Sequence, residues 1–272
     1  MQLNIDSRIS QDFLDSYTHF KNGSYEGYCH PAIAASLQSD RMDTLLKQER
    51  RIRIKKMKRN MILDINMPNL SVEGWEWINV KSENRITFSK SIMAVIRGSK
   101  ARRAFNMACR LTRLNLDTPI PLGYIERRKK GRIIENYYLS ESLNKEFNLD
   151  QFAKQGDKAE VEPFIKAVAE YANRLHNAGI MHRDLNLRNF LVHREQDTWR
   201  IALIDLNRCI RLPRLPAFMK VRDISRLYWK KFRCDFFYLY CDGRRDLLWF
   251  KWFFDFYLVY RRHLSRIKKY AL

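Results

Sequence analysis

The stretch that decides the fold is residues 182–189, His-Arg-Asp-Leu-Asn-Leu-Arg-Asn, and an apolar segment after it ends in residues 204–207, Ile-Asp-Leu-Asn. Together they contain three side chains with oxygen atoms suited to chemistry: Asp184, Asn189 and Asp205. Carboxylate and amide oxygens bind Mg²⁺, and a carboxylate on a loop can take a proton from a hydroxyl. A surface turn would explain any one of these residues, but not all three behind a Gly-capped helix and ahead of a strand.

This spacing is typical of enzymes with the kinase-like fold, which transfer a phosphoryl group from magnesium-ATP to a hydroxyl. In that interpretation, Asp184 accepts or orients the proton of the attacking hydroxyl. Asn189 and Asp205 are the candidate Mg²⁺ ligands, one neutral and one charged. His182 and Arg183 are interpreted as supporting residues, because the histidine of this motif usually braces the loop rather than reacting.

Two features after Asp184 point away from a protein acceptor. Protein kinases usually have a lysine where this chain has Asn186. The residues after Asp205 contain no Ala-Pro-Glu segment to bound an activation loop, the usual platform for a peptide substrate. The sequence therefore predicts phosphoryl transfer to an acceptor that is not a protein.

Hydrophobic periodicity divides the chain into a strand-rich half and a helical half. Ser99 is the predicted N-cap of one helix, and Gly179 is the predicted C-cap of another. This order predicts an α+β, two-lobed, protein-kinase-like fold, with a small β-rich N-lobe containing one helix and a mostly helical C-lobe. The predicted elements are strands at 52–55, 61–65, 75–81, 124–126, 133–139, 190–192 and 199–204, and helices at 99–114 and 161–175.

Three domains are predicted: an N-terminal segment of unclear role at residues 1–48, the N-lobe at 49–139 and the C-lobe at 140–272. Within the first segment, residues 40–47 are compatible with a short helix. Ser140 and Glu141 fall at the expected hinge between the lobes. Glu141 is therefore a candidate ATP-binding residue.

Lys81 ends the third predicted strand, where a kinase-like fold has the lysine that binds the α- and β-phosphates of ATP. Its usual partner is a glutamate of the following helix, but residues 99–114 contain no acidic residue. Three interpretations stay open. Asn106, in the approximate place, bonds the lysine and so belongs to the ATP site; another carboxylate such as Glu126 does so; or the enzyme is impaired.

The turn between the first two strands of the N-lobe has no Gly-rich G-x-G-x-x-G loop for phosphate. It carries Lys58 and Arg59 instead. These cations either contact phosphate in place of backbone N–H groups or form a solvated basic hairpin tip, and both interpretations stay open.

The chain is strongly basic, with 51 Lys and Arg against 30 Asp and Glu and a formal net charge of +21. Such a balance favours nucleic acid, an anionic membrane surface or phosphorylated substrates as partners. No recognised nucleic-acid-binding module occurs, so we expect no nucleic acid partner. Five scattered cysteines without a CxxC pair predict reduced thiols rather than a disulfide framework or a zinc site. With neither a secretory signal nor an apolar run of the ~20 residues that a span needs, we expect a cytoplasmic protein.

Several segments together resemble the bacterial lipopolysaccharide kinase family. They are Lys81, residues 99–105 (Ser-Lys-Ala-Arg-Arg-Ala-Phe), residues 118–119 (Thr-Pro), residues 182–189 and residues 204–208 (Ile-Asp-Leu-Asn-Arg). The resemblance spans roughly residues 50 to 235. Members of that family phosphorylate Kdo or heptose in the lipopolysaccharide inner core, so the resemblance implies an ATP- and Mg²⁺-dependent kinase of a sugar hydroxyl. The family pattern has a glutamate where this chain has Asn106.

The resemblance also implies where the protein acts. The inner core carries carboxylates and phosphates on a membrane-anchored glycolipid, so we expect peripheral binding to the anionic cytoplasmic face of the inner membrane. Residues 261–269 (Arg-Arg-His-Leu-Ser-Arg-Ile-Lys-Lys) form a basic stretch beside the aromatic run at 249–260. This segment is either a membrane contact or a packed terminal helix with a solvated end.

Two other functions stay open beside the sugar kinase. An atypical protein kinase or ATPase of the same fold would transfer phosphate to protein, or hydrolyse ATP, without glycolipid. A catalytically impaired pseudokinase would explain Asn106 and the missing Gly-rich loop, but it does not explain why Asp184, Asn189 and Asp205 are all present.

Overall fold

A computed structural model describes residues 3–4, 6–7, 11–39, 52–57, 60–67, 75, 77–83, 86–143, 147–195, 198–227, 233–241 and 251–270. The chain forms two compact units. The N-terminal unit comprises Ser7–Asn144 with Asp205–Asn207, and the C-terminal unit comprises Met1–Asp6, Lys145–Ile204 and Arg208–Leu272. The division falls a few residues beyond the boundary that we predicted between 139 and 140. Among the described helices, none is both long and apolar enough to cross a bilayer.

The secondary-structure elements are numbered along the chain. The strands are β1 (Leu3–Asn4), β2 (Thr18–Asn22), β3 (Tyr25–Cys29), β4 (Ile52–Met57), β5 (Asn60–Asn66), β6 (Trp77–Glu83), β7 (Pro121–Lys129), β8 (Arg132–Glu141), β9 (Phe147–Asn148), β10 (Ile180–Met181), β11 (Phe190–Glu195), β12 (Thr198–Leu203) and β13 (Ile210–Arg211). The helices are α1 (Gln11–Asp15), α2 (Pro31–Ser39), α3 (Phe88–Arg97), α4 (Lys100–Arg113), α5 (Leu149–Gln155), α6 (Lys158–Asn177), α7 (Ala217–Ile224), α8 (Arg233–Cys241) and α9 (Lys251–Tyr270).

The N-terminal unit is built on a seven-stranded antiparallel sheet with the order β2-β3-β7-β8-β6-β5-β4. Successive side chains of a strand point to opposite faces. In β6, Ile78 and Val80 are buried on one face, in a core that includes Leu63, Ile125 and Leu139. The strands predicted in this unit are confirmed, although the third begins two residues later than expected, at Trp77.

Helix α4 packs on the other face of the sheet. Ser99 caps it as predicted, because its side chain accepts a hydrogen bond from the backbone N–H of Arg102. The apolar stripe of α4 forms a buried cluster with Tyr124 of β7. Lys81 of β6 pairs with Tyr138 of β8, which packs against the same cluster. Lys81 therefore lies on the face of the sheet that α4 covers.

Residues 18–29 extend the sheet with a hairpin that the sequence did not predict. Strand β2 pairs with β3, and β3 pairs with β7. Gly27 permits this contact, because a Cβ there would lie 1.9 Å from the backbone oxygen of Tyr124. Part of the segment 1–48 thus belongs to the sheet, and α1, α2 and α3 add to the one predicted helix. The helix predicted at 40–47 and the turn residues Lys58 and Arg59 lie outside the described residues.

The C-terminal unit is organised around α6. Its end is set by Gly179, which has a φ of +75° and where a Cβ would lie 2.0 Å from the backbone oxygen of Leu212. Strands β11 and β12 form a hairpin within a four-stranded sheet ordered β1-β12-β11-β9, and β10 pairs with β13. Helices α8 and α9 meet through Phe237 and Phe254. The stripe predicted for α6 is confirmed, since all six residues are buried: Val161, Phe164, Ile165, Val168, Ala172 and Leu175.

Candidate active site

The loop that carries Asp184 is held by Asp223, a fully buried residue of α7. The Asp223 carboxylate accepts hydrogen bonds from the backbone N–H of His182 at 2.7 Å and from that of Arg183 at 2.9 Å. Arg183 has a φ of +67°, a left-handed conformation that costs a residue with a Cβ about 1–3 kcal/mol. The two charge-assisted hydrogen bonds offset this cost and fix the direction in which the chain enters Asp184.

A buried histidine supports Asp223 from α6. His176 Nε2 lies 3.2 Å from Asp223 Oδ2, and His176 Nδ1 lies 2.6 Å from the hydroxyl of Tyr240. With Nε2–H donating to the carboxylate, Nδ1 accepts from the tyrosine hydroxyl. These residues could not be selected from the sequence, because their partners lie far apart in the chain and no periodic pattern marks them.

Asp184 lies beside two asparagine side chains. Asn186 Nδ2 donates to the backbone oxygen of Asp184 at 2.9 Å and to its carboxylate Oδ1 at 3.3 Å. Asn189 Nδ2 donates to the same backbone oxygen at 2.8 Å. This contact leaves Oδ1 as the atom of the Asn189 side chain that can bind a cation. The Asp184 side chain is 27% exposed, so it is accessible as well as held in place.

Two arginines that the sequence analysis did not select face the Asp184 carboxylate. Arg226 Nη1 lies 3.0 Å from Oδ1, and Arg208 Nη1 lies 3.7 Å from Oδ2. Asn186 is uncharged, unlike the lysine of protein kinases, and these two arginines bring positive charge to the Asp184 carboxylate instead. Arg208 belongs to the Asp-Leu-Asn-Arg segment at 205–208, whereas Arg226 lies in the turn after α7 and has no motif around it.

The residue before Asp205 is bound to the loop at 182–189. His182 Nε2 lies 3.0 Å from the backbone oxygen of Ile204, and the Ile204 N–H donates to the backbone oxygen of Asn189 at 2.9 Å. His182 is fully buried, and its contact is one that a bracing residue makes. Asp205 itself has a φ of +63°, a conformation in which aspartate is several-fold enriched.

Lys81 and Asp205 form an ion pair in the N-terminal unit. Lys81 Nζ donates to Asp205 Oδ1, and Asn207 Nδ2 donates to the same oxygen at 2.7 Å. Within the described part of the chain, no hydrogen bond joins Asn106 to Lys81, and Asn106 lies on the exposed face of α4. Glu126 is not the partner either, because an arginine of its own strand binds it at 2.6 Å. The carboxylate that pairs with Lys81 is therefore that of Asp205.

Glu141, at the end of β8, contacts the segment before β7. Its Oε1 accepts from the backbone N–H of Ile120 at 3.1 Å, and its own N–H donates to the Ile120 backbone oxygen at 3.0 Å. These bonds fasten one strand connection to the sheet. The assignments of Glu141 and Asn106 to ATP binding stay predictions.

A further carboxylate, Glu83, lies two residues after Lys81 in β6. It is buried and lies 2.6 Å from the Nζ of Lys100 and 3.7 Å from that of Lys90. Burial raises the pKa of the Glu83 carboxyl, but the hydrogen bond and charge of Lys100, with the charge of Lys90, outweigh burial and lower the pKa. The Ser-Lys-Ala-Arg-Arg segment at 99–103 thus contributes the lysine that joins the start of α4 to the sheet.

Two curated relatives share about half of their length with this chain. The lipopolysaccharide core heptose(I) kinase WaaP of Pseudomonas aeruginosa is 26% identical over 137 residues, which are 47% of this chain and 51% of that protein. The protein of the same name from Escherichia coli K12 is 27% identical over 139 residues, 47% of this chain and 52% of that protein. The chain therefore spans about half the length of the curated relatives that it matches.

The fold and the family are shown by two further likenesses. A solved structure described as "WaaP in complex with acyl carrier protein" superposes with a TM-score of 0.55 at 20% identity, covering 79% of this chain and 87% of that one. This likeness confirms the predicted α+β, kinase-like fold. The sequence profile described as "Lipopolysaccharide kinase (Kdo/WaaP) family" matches residues 81–237, which run from Lys81 past the loop of Asp184 to the α8 helix. Because this match covers more than half of the chain, the protein belongs to the lipopolysaccharide kinase (Kdo/WaaP) family.

Proposed function

We propose that the protein is an ATP- and Mg²⁺-dependent kinase that phosphorylates a sugar hydroxyl, of Kdo or heptose, in the lipopolysaccharide inner core. The observation that carries the proposal is the Asp184 carboxylate, on a loop that Asp223 fixes and beside Asn186 instead of a lysine. Family membership, and two relatives named as core heptose(I) kinases, support this class of acceptor.

Asp184 is the proposed general base. Its Oδ1 is engaged by Asn186 and Arg226, whereas Oδ2 lies 3.7 Å from Arg208 Nη1, which is beyond hydrogen-bond distance. We therefore propose that Oδ2 is the oxygen of Asp184 that takes the proton of the acceptor hydroxyl. The bonds to Oδ1 keep the carboxylate oriented while the hydroxyl oxygen attacks.

Arg208 and Arg226 are proposed to supply the positive charge that a protein kinase obtains from the lysine at the position of Asn186. Guanidinium groups stay charged and bind phosphoryl oxygens in a bidentate manner. These cations would stabilise the negative charge on the oxygens of the phosphoryl group during its transfer.

An acidic group of the acceptor is the other anion that these arginines can bind, and kinetics separates the two roles. If Arg226 stabilises the transferred phosphoryl group, Arg226→Gln lowers kcat and leaves the acceptor KM nearly unchanged. If Arg226 binds the acceptor, the same substitution raises the acceptor KM.

Asn189 and Asp205 are the proposed Mg²⁺ ligands, and Lys81 is the proposed contact to the ATP phosphates. The donor set fits, because Mg²⁺ prefers hard oxygen ligands and the Asn189 side chain has an oxygen left for a cation. Bound magnesium-ATP supplies the phosphoryl group and a charge that neutralises its oxygens. The ion pair between Lys81 and Asp205 holds these two side chains next to each other.

The acceptor would be a glycolipid, and we propose that the protein meets it at the cytoplasmic face of the inner membrane. The formal net charge of +21 favours binding to an anionic surface. Nucleic acid is not proposed as a partner.

The test incubates the protein with ATP, Mg²⁺ and either Kdo-lipid A or heptosylated core, and searches for one added phosphate by mass spectrometry. Asp184→Asn is the matched variant, since it keeps the size of the side chain and removes the base; we expect a rate at least about 100-fold lower. An unchanged rate in this variant would refute the role of Asp184. Phosphate transfer to protein without glycolipid would favour an atypical protein kinase, and failure to bind magnesium-ATP would favour a pseudokinase.

A further inference from the structure

Helix α3 presents an apolar face to solvent. Phe88, Ile92, Val95 and Ile96 recur at helical spacing and are 63%, 44%, 51% and 72% exposed, and Met93 beside them is 42% exposed. We call these five residues the α3 stripe. A surface helix normally turns such a stripe toward the core. Single exposed apolar residues are common, but a continuous stripe marks an interaction surface.

The side of α3 that faces the protein is polar and small. Its buried residue is Ser91, which is 3% exposed, and Lys90 and Ala94 beside it are half-buried. The helix contacts β8, and Lys90 lies 3.7 Å from the buried carboxylate of Glu83. The fold therefore attaches α3 through its polar side and leaves the α3 stripe outside.

The sequence of α3 and of the helix after it is basic. From residue 88 to residue 113 the sequence contains no Asp or Glu. The guanidinium carbon of Arg132 lies 5.1 Å from the ring centre of Phe88, at one end of the stripe. An apolar stripe bordered by cations is typical of helices that lie in the membrane interface. Two exposed cations lie at the stripe: Arg97 at the end of α3 and Arg132 at the start of β8.

We propose that α3 binds an anionic bilayer, with the α3 stripe between headgroups and acyl chains and with Arg97 and Arg132 on lipid phosphates. A bilayer accepts an aliphatic stripe without a matching pocket, whereas a protein partner usually surrounds its apolar centre with hydrogen bonds in fixed positions. Each arginine near an anionic surface adds to the attraction. The inference rests on the proposed function only in taking a membrane-anchored glycolipid as acceptor.

Vesicle co-sedimentation of the full chain tests the proposal. The variant is Ile92→Gln with Ile96→Gln, because glutamine forms helices at least as well as isoleucine and removes the apolar surface. On phosphatidylglycerol-containing vesicles we expect its partition constant to fall at least about tenfold, or about 1.4 kcal/mol. The matched control is Phe218→Gln, which removes a single ring, 49% exposed, from α7 and should leave binding unchanged. Circular dichroism and thermal unfolding establish that both variants fold.

A charge variant separates the two contributions to binding. Arg97→Gln with Arg132→Gln should weaken binding to phosphatidylglycerol vesicles and leave the weaker binding to pure phosphatidylcholine unchanged. Added salt should reduce the difference between wild type and this variant, because salt screens exposed charges. Equal binding of wild type and charge variant to anionic vesicles at low salt would contradict the role of the arginines.

Three outcomes would overturn the proposal. The first is failure of the wild-type chain to bind anionic vesicles. The second is loss of binding in Trp252→Gln with Phe256→Gln, which alters exposed aromatic residues of α9, while the α3 variant binds normally. The third is a wild type that sediments as a dimer without lipid and an α3 variant that sediments as a monomer, which would assign the α3 stripe to a second copy of the chain.

A water-soluble acceptor separates a failure of membrane binding from a failure of the proposed kinase activity. On de-acylated core oligosaccharide, the α3 variant should phosphorylate as fast as wild type, and on core glycolipid in vesicles it should be slower. If neither protein phosphorylates the soluble acceptor, the proposed function fails, while the vesicle measurement still decides whether α3 binds a bilayer.

Discussion

Removal of the Asp223 carboxylate is expected to release the loop that carries Asp184. The fully buried Asp223 carboxylate accepts from the backbone N–H of His182 and Arg183 at 2.7 and 2.9 Å. A hydrogen bond to a charged group contributes about 1.5–3 kcal/mol, so the two together correspond to about 3–6 kcal/mol. Asp223→Ala leaves both N–H groups without this acceptor, in a buried position for His182 and a partly buried one for Arg183.

Hydrogen exchange followed by mass spectrometry measures this release directly. A loss of about 3 kcal/mol corresponds to exchange at least about 100-fold faster at the His182 and Arg183 amides. Asp157→Ala is the matched control, because it removes another carboxylate that accepts from a backbone N–H, that of Glu160 at 2.8 Å, at the exposed start of α6. This cap contributes about 1 kcal/mol, and its loss should not alter exchange at residues 182 and 183.

If Asp223→Ala does not fold, the same measurement is made on Asp223→Asn. Asparagine fills the same volume and can accept one bond, but it turns an NH₂ group toward the second donor. We expect an intermediate increase in exchange. Unchanged exchange at the two amides in a folded variant would refute the view that Asp223 holds the loop.

The remaining predictions concern acid stability, thiol reactivity and nucleotide binding. The fold lowers the pKa of Glu83 below its ordinary value of 4.5, so its charge stabilises the fold above that value. In thermal unfolding, the deficit of Glu83→Gln should be present at neutral pH and should shrink as the pH falls below 4.5 and through the lower pKa of the folded state; a constant deficit would contradict this. Burial raises the pKa of Cys29 and Cys109 to about 12, so iodoacetamide should alkylate half-buried Cys209 before either, and peptide mapping that finds Cys29 labelled as early would be contrary evidence. Measured by calorimetry, Lys81→Met should raise the Kd for ATP at least about tenfold, and Lys81→Arg should retain part of the affinity. An unchanged Kd in Lys81→Met would show that Lys81 does not contribute to ATP binding.

Periodicity predicted the elements whose apolar residues face one continuous core. Helix α6 and the strands from β5 to β8 are of this kind, because their pattern repeats over several turns or residues. The hairpin at 18–29 was not predicted, because its residues are mostly polar and its place is decided by pairing with β7, far along the chain. Helix α3 was not predicted either, although its apolar residues recur at helical spacing.

The candidate site divides in a similar way. The loop at 182–189 and Asp205 could be selected from the sequence, because their spacing is local. Asp223 and Arg226 could not, since they reach the loop only through the packing of α7 and the turn after it. The partner of Lys81 depends on the same kind of long-range contact, and one of the candidates that the sequence left open, Asn106, lies on the exposed side of its helix.

The charges that join helix α4 to the sheet are reversed relative to the usual kinase arrangement. In protein kinases a lysine of the sheet pairs with a glutamate of the helix. Here the sheet provides the acid, Glu83, and the helix provides the base, Lys100, at 2.6 Å. Helix α4 is thus attached without Lys81, which pairs with Asp205. Asn106 is exposed on α4, so Asn106→Glu tests its predicted place in the ATP site. If α4 keeps this position, the Kd for ATP measured by calorimetry stays unchanged; a marked gain in affinity would show instead that the helix moves to bring this position to the lysine.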